Sequence, residues 1–342
     1  MSKILLFSDI HIHNHKQSHQ RLLDCLKTLE WVFTTARERH IKDVLFLGDL
    51  FQDRQRIQVY AYHETYQIIK RFPDINIFLL LGNHDLWYFD KTDISSIFPL
   101  GGLAHVEVIG EPCTKNIAGL NFDFIPFTHN PLEAISKFNK KSPVLCAHIA
   151  IDGAFLNINR QTKSEVSVEF ENEMVPVDYN AFKEWKRVFL GHYHGAQKLD
   201  NVEYIGSPLE LNFSEAHHPK HICILDTEDL TTEYIENTFS PKHIITTPDK
   251  VFEHNLNKNF VRVDIHDLQN TDTVELANKL KSMGAIVELR DCKKIEKLQE
   301  KDKTKFSLAE GDLLERWVEA TECGDMDKKM LLNLGKEICL EQ

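Results

Sequence analysis

At 342 residues, with 42% hydrophobic and 27% charged residues, the chain has a globular composition and material for one large domain or two to three small ones. No stretch reaches the ~18 uninterrupted apolar residues of a membrane span, and Asp9 and His11 cut short the apolar ILLF near the start, which argues against a signal-peptide core. The formal net charge of −12 disfavours a simple basic nucleic-acid-binding module but not an enzyme that meets phosphate through bound cations.

Seven cysteines with no CxxC pair fit free or buried thiols in a reducing compartment. The expected location is therefore the cytoplasm, of the source cell or of an infected host.

In chain order, the run KILLFS is short, aliphatic and bounded by polar residues, as a buried strand is. Leu22, Leu26, Leu29, Phe33 and Ala36 then recur at three- and four-residue steps and predict an amphipathic helix. DVLFLG is a second strand, Ile57 to Phe72 a second helix, and INIFLLLG a third strand. Residues 105–125 read as β-rich, SPVLCA as a buried strand, and Ala150 to Asn180 as an extended excursion. RVFLG is again strand-like and 202–236 again β-rich. Strands alternating with helices give an α/β fold, and the added β-rich segments predict two mixed sheets over a single parallel one.

The character changes at Pro248. NFVRVDI, a helix over Thr273 to Met283, and AIVELRD form a β-α-β unit. A lysine-rich linker from Lys293 to Lys305 leads to a segment whose Leu308, Leu313, Leu314, Trp317 and Val318 make one apolar face, and Met330, Leu331, Leu334 and Ile338 another. The expected division is 1–247, 248–292 and 293–342.

Five apolar runs end alike. KILLFS runs into Asp9-x-His11, DVLFLG into Gly48-Asp49, INIFLLLG into Gly82-Asn83-His84-Asp85, SPVLCA into His148, and RVFLG into His192-x-His194. Taken singly, Asp-x-His is common, a lone Gly-Asp is usually a turn, and a lone histidine is more often a core residue than a ligand. Jointly they place Asp, Asn and His at the carboxyl ends of five strands, the edge on which layered α/β folds bind ligands. His13 and His15 lie past that edge and read as outer or substrate-facing groups, or simply as exposed loop.

Mixed Asp, Asn and His ligation without cysteine disfavours structural zinc and suits manganese best, with magnesium or ferrous iron as alternatives. The donors are too many for one ion, so two divalent metal ions about 3.5–4 Å apart are expected. Asp49, the lone ligand on its strand, is the natural bridge. Such a pair suits phosphoester hydrolysis, with His84 as general acid to the leaving alkoxide and Asp85 orienting it or raising its basicity.

These blocks, D-x-H, GD, GNHD, H and GHxH in order across Asp9 to His194, resemble the calcineurin-like metallophosphoesterase superfamily. The resemblance implies two mixed β-sheets sandwiched between helices in four layers. It also implies one metal held by Asp9, His11, Asp49 and His194, and a second by Asp49, Asn83, His148 and His192.

GDLFQDRQ, the segment Tyr204-Ile205-Gly206-Ser207-Pro208 followed by Phe213-Ser214-Glu215-Ala216, and the β-α-β unit resemble the Mre11/SbcD nuclease branch. That branch implies a DNA exonuclease or endonuclease subunit with a DNA-capping domain and a helical tail docking on an SbcC/Rad50-type coiled-coil ATPase. It also implies homodimers, with roles in DNA recombination, repair or replication. Some members carry a histidine after GDLF where this chain has Gln52. The alternative is a phosphoesterase acting on small-molecule or protein phosphoesters.

Overall fold

A computed structural model describes residues 2–15, 18–88, 91–139, 141–152, 154–157, 160–161, 177–266 and 272–292. The expected linker and helical tail, 293–342, lie outside the described residues.

The strands in chain order are β1 (Lys3–Phe7), β2 (Asp43–Phe46), β3 (Asn76–Leu80), β4 (Val106–Ile109), β5 (Cys113–Ile117), β6 (Leu120–Ile125), β7 (Val144–His148), β8 (Phe155–Asn157), β9 (Arg160–Gln161), β10 (Arg187–Gly191), β11 (Gln197–Leu199), β12 (Val202–Tyr204), β13 (His221–Asp226), β14 (Thr232–Glu236), β15 (His243–Thr246), β16 (Phe260–Ile265) and β17 (Ile286–Asp291). The helices are α1 (His19–Glu38), α2 (Val59–Lys70), α3 (Pro131–Ser136) and α4 (Thr273–Ser282).

The chain divides into two compact units. Among the described residues, one runs to Ile245 and takes in Leu256–Val261 and Gly284–Ile286; the other comprises Thr246–Asn255 and the described parts of 262–283 and 287–292.

Within the first unit lie two six-stranded sheets, ordered β14-β13-β1-β2-β3-β4 and β11-β12-β10-β7-β6-β5. Strands β1 to β4 are mutually parallel, as are β6, β7, β10 and β12, while antiparallel β13, β14, β5 and β11 complete the mixed sheets. The period-two geometry of a strand sends successive side chains to opposite faces. Ile4 and Leu6 therefore pack with Leu45, Phe122, Cys146 and Phe189 between the sheets. Leu5 and Phe7 pack outward against Leu22, Leu26, Leu29 and Phe33 of α1.

On the outer face of the second sheet, Leu145, Ala147, Val188 and Leu190 meet Ala134 and Ile135 of α3, together with Phe182 and Trp185. The order helix, sheet, sheet, helix is the four-layer arrangement expected from the sequence. It explains why the central strands are continuously apolar: both of their faces are buried. Each such buried Leu, Ile or Phe contributes about 1.5–3 kcal/mol.

Local chemistry sets the helix starts. Ser18 caps α1 through its side chain, and Asn130 followed by Pro131 starts α3. The sequence reading missed α3 because six residues are too few to show a period. The stretch read as an extended excursion holds the β8–β9 hairpin, and Ile151 bridges Val177 beyond it.

In chain order, β16, α4 and β17 form the expected β-α-β unit, most of which falls in the second unit. Asp272 caps α4 by accepting from the Val274 and Glu275 amides, and Arg290 forks onto Asp264 across the two strands at 2.5 and 2.7 Å.

The glycine closing β10 permits close approach of the sheets. A Cβ on Gly191 would overlap Ser8 Oγ and the backbone oxygen of Leu47. The Gly191→Ala protein is expected to lose about 1–3 kcal/mol of stability in chemical denaturation. At Gly102 a Cβ would meet nothing within 4 Å, so Gly102→Ala should stay within about 0.5 kcal/mol of the parent.

Candidate metal centre

Beyond its last residue β1 stays zipped to the chain after β2. Asp9 N–H donates to Gly48 O at 3.0 Å, His11 N–H to Asp49 O at 3.1 Å and Ile12 N–H to Leu50 O at 2.8 Å. The residues there turn sharply: Asp9, His11, Asp49 and His192 all have positive φ, at 51, 47, 63 and 98°. Non-glycine residues hold that conformation only where their surroundings over-determine it, and such strain clusters at functional sites. Gly48, at φ 101°, and Gly82 complete the turns; a Cβ on either would collide with His148 or Asp49.

These turns bring the expected ligands together. Donor atoms of Asp9, His11 and His194 form one group within 4.8 Å, those of Asp49, His148 and His192 a second, and those of His11, Asp49 and His84 a third. Asn83 Oδ1 joins the second group, 3.0 Å from His148 Nε2 and 3.2 Å from His192 Nδ1. His11 Nε2 and His194 Nε2 lie 3.0 Å apart. One oxygen of Asp49, Oδ2, stands 3.6 Å from His11 Nε2 and 3.4 Å from His148 Nε2, so it faces both groups.

His13 and His15 stay outside. His13 pairs with Asp53 at 3.0 Å, and His15 Nε2 lies 3.0 Å from His11 O.

Two histidines are anchored through the nitrogen that faces away from the group. His148 Nδ1 donates to Leu47 O at 2.7 Å and His194 Nδ1 to Glu215 at 3.0 Å. Each bond fixes the tautomer and leaves Nε2 as a lone-pair donor. Lone pairs of His148, Asn83 and Asp49 thus converge in a buried space, an arrangement that requires a cation among them.

The electrostatics agree. Burial and then His194 hold His11 well below the usual histidine range, and burial and His148 bring His192 down to about 3. Burial pushes the Asp9 carboxyl up. Burial opposes the charge on Asp49, yet His148, His84 and His11 around it hold its carboxyl well below the ordinary value. At His148 burial works against protonation, but the Asp49 carboxylate prevails and raises it to about 9. In the metal-free protein a proton on His148 takes the cation's place.

Asp85 departs from expectation. Its carboxylate does not orient His84; it accepts backbone N–H groups from Asp49 and Gly82 on Oδ2 at 2.9 and 3.0 Å, and from Leu50 on Oδ1 at 2.9 Å. The buried amides of the neighbouring strand end lie within reach of the carboxylate and take it up. Burial, then Asp49, push the Asp85 carboxyl up, and these amides oppose the shift.

The partner of His84 Nδ1 is the main-chain oxygen of Gln52 at 2.7 Å, and His84 N–H donates to Asp49 Oδ1 at 2.8 Å. A carbonyl leaves no mark in side-chain chemistry, so the sequence reading had no signal for it. Glu215 did stand in a segment noted for its likeness to the nuclease branch, but without a role.

Strand-end ligands on a two-sheet sandwich define a metallophosphoesterase centre, and residues 2–247 match the calcineurin-like phosphoesterase family. The chain belongs to that family. Its fold and clustered donors imply divalent metal ions.

The chain is similar to exonuclease subunit 1 of Enterobacteria phage T4, with 24% identity over 310 residues and 86% of each chain covered. It is also similar to the SbcD subunit of nuclease SbcCD from Staphylococcus epidermidis, 24% identical over 70% of this chain and 69% of that one. The same-named protein of Staphylococcus saprophyticus is 22% identical over 68% of each. Among the described residues no helix is long and apolar enough to cross a membrane.

Two outcomes are expected. Asp85→Asn turns amide hydrogens towards backbone N–H donors and should cost about 1–3 kcal/mol in metal-free denaturation, whereas a residue serving only His84 would leave stability unchanged. With His148 raised to about 9, metal binding at neutral pH should release protons, read by titration calorimetry in buffers of different ionisation enthalpy.

Proposed function

We propose that this chain is the nuclease subunit of a two-component machine, hydrolysing phosphodiester bonds of DNA with two divalent cations, Mn2+ foremost. The observation that carries this reading is that Asp49 Oδ2 faces both donor groups at 3.4 and 3.6 Å, in a chain whose relatives are named as exonuclease and nuclease subunits. Asp9, His11 and His194 would hold one cation, Asn83, His148 and His192 the other, with Asp49 between them. When bound, such a pair polarises a phosphoryl group and lowers the pKa of water.

The chain's own residues do the rest. His84, with Nδ1 fixed on Gln52 O, turns Nε2 toward the substrate, and as the doubly protonated imidazolium it would give the Nε2 proton to the leaving alkoxide while Nδ1–H stays on the carbonyl. Asp85 holds the backbone turn that aims Asp49 at both groups. Gln52, which stands where some members carry a histidine, supplies main-chain support to His84.

The wider assignment follows the resemblance to the Mre11/SbcD nuclease branch. Residues 1–247 act as the nuclease domain, 248–292 as a DNA-capping domain, and 293–342 as linker and docking tail for an SbcC/Rad50-type ATPase. The chain works as a homodimer in the cytoplasm, in DNA recombination, repair or replication.

The test incubates the purified chain with Mn2+ and end-labelled duplex DNA, with and without the ATPase. Cleavage that chelation abolishes is expected. No cleavage in either condition, or far faster turnover of a phosphomonoester, would overturn the nuclease reading in favour of a small-molecule or protein phosphoesterase. Loss of ATPase co-purification on removing residues 306–342 is the expected outcome for the tail. His84→Ala should bind both metals and lose about 10²–10⁴-fold in turnover. Loss of a metal instead would make His84 a ligand, in keeping with its place near His11 and Asp49.

A further inference from the structure

Behind His194 lies a buried ion pair. Glu215, in the short turn Phe213–Glu215, is 4% exposed, and Lys220, just before β13, is 1% exposed. Glu215 Oε1 accepts from His194 Nδ1 at 3.0 Å and from Asn212 Nδ2 at 3.1 Å. Its Oε2 accepts from Lys220 Nζ at 2.6 Å, Ser207 Oγ at 3.2 Å and the Leu211 amide at 3.2 Å. Lys220 Nζ reaches three acceptors in all: Glu215, Ser207 Oγ at 2.7 Å and the main-chain oxygen of His194 at 3.0 Å. An ammonium has three protons, and each has a partner here.

A buried ion pair is a poor device for stability alone, because well-packed apolar residues of similar volume do as well or better. This pair has a more specific geometry. It holds one histidine twice, by its side chain through Glu215 and by its main chain through Lys220.

The two anchored ligands also differ in kind. His148 leans on a neutral carbonyl, whereas His194 leans on a carboxylate, which fixes the ring and makes the free nitrogen a stronger donor to a cation. Lys220 keeps that carboxylate in place. Ser207, of the Gly-Ser-Pro segment, closes the ring by hydrogen-bonding to both members of the pair.

We propose that Glu215 and Lys220 are positioning residues for His194, tuning the cation half formed by Asp9, His11 and His194 and leaving the other half alone. This rests on the reading of that half as a divalent-metal site. The Gly-Ser-Pro segment and the downstream glutamate then share one role, as the outer wall of a single metal half.

The test is Mn2+ binding to the full-length chain by titration calorimetry, with electron paramagnetic resonance to follow the paired ions. Glu215→Ala is expected to weaken one of the two binding events by about 10–100-fold and to spare the other. In a His194→Ala background the same substitution should have no further effect, because the residue it acts through is gone. Glu215→Gln, which keeps an acceptor oxygen, should recover part of the loss.

A folded Glu215→Ala protein that binds both ions as tightly as the parent overturns the proposal. So does an equal further loss in the His194→Ala background, which is what a merely structural role would give. If Glu215→Ala does not fold, Glu215→Gln carries the same comparison: a weaker event masked by His194→Ala supports the proposal and unchanged binding overturns it. Failure of the metal reading would look different. The parent chain would then bind no pair of ions, or Asp9→Ala would leave its binding unchanged, and the proposal would fall with it.

Discussion

The carboxylate of Asp85 joins the turn after β2 to the turn after β3 beside the metal centre. Its oxygens take the amides of Asp49, Leu50 and Gly82, which lie in the turns after β2 and β3. Those amides have left the sheet ladder and are buried, so each would carry a desolvation penalty of about 1–3 kcal/mol without a partner. One side chain satisfies them all and sets the turn in which Asp49 adopts φ 63°. The direction of the Asp49 carboxylate, and hence its ability to face both donor groups, depends on that turn.

Around this brace the centre is built from opposed demands. Burial favours neutral groups, while the ligands bring carboxylates and imidazole lone pairs into one buried space. The conflict shows as displaced acidities of both signs: His192 brought down to about 3 and His148 raised to about 9 within hydrogen-bonding reach of the same Asn83 oxygen. Divalent cations resolve it by supplying the charge that the protein leaves out. The strained backbone at Asp9, His11, Asp49 and His192 belongs to the same design, since non-glycine residues keep positive φ only where their surroundings over-determine it. The formal charge of −12 is thus an incomplete description of the surface that substrate meets, because a sequence count omits bound cations.

Much of the fold was legible. The apolar runs at β1, β2, β3, β7 and β10 stood out because strands buried on both faces lose their alternation, and α1 because twenty residues show a clear 3.6 period. The six residues of α3 did not, and neither did the hairpin of β8 and β9, whose strands of three and two residues are too short to carry a pattern. At the site, the residue types and their strand-end positions were visible as soon as five runs were compared. Adjacency in GNHD suggests contact between Asp85 and His84, whereas the Asp85 carboxylate takes backbone amides and His84 Nδ1 meets Gln52 O.

The sequence by itself determined the inventory of candidate donors, its order along the chain and its placement at strand ends, because strand periodicity and turn chemistry act over a few residues. Only the tertiary structure decided which donors share a group and what holds them. His148 is anchored by a carbonyl 101 residues away, Asp9 accepts from the His192 amide across 183 residues, and His194 is fixed by Glu215 through 21. Such contacts join main-chain atoms or side chains that meet only when two sheets stack. No local pattern encodes them, because the distance that matters is measured across the sandwich.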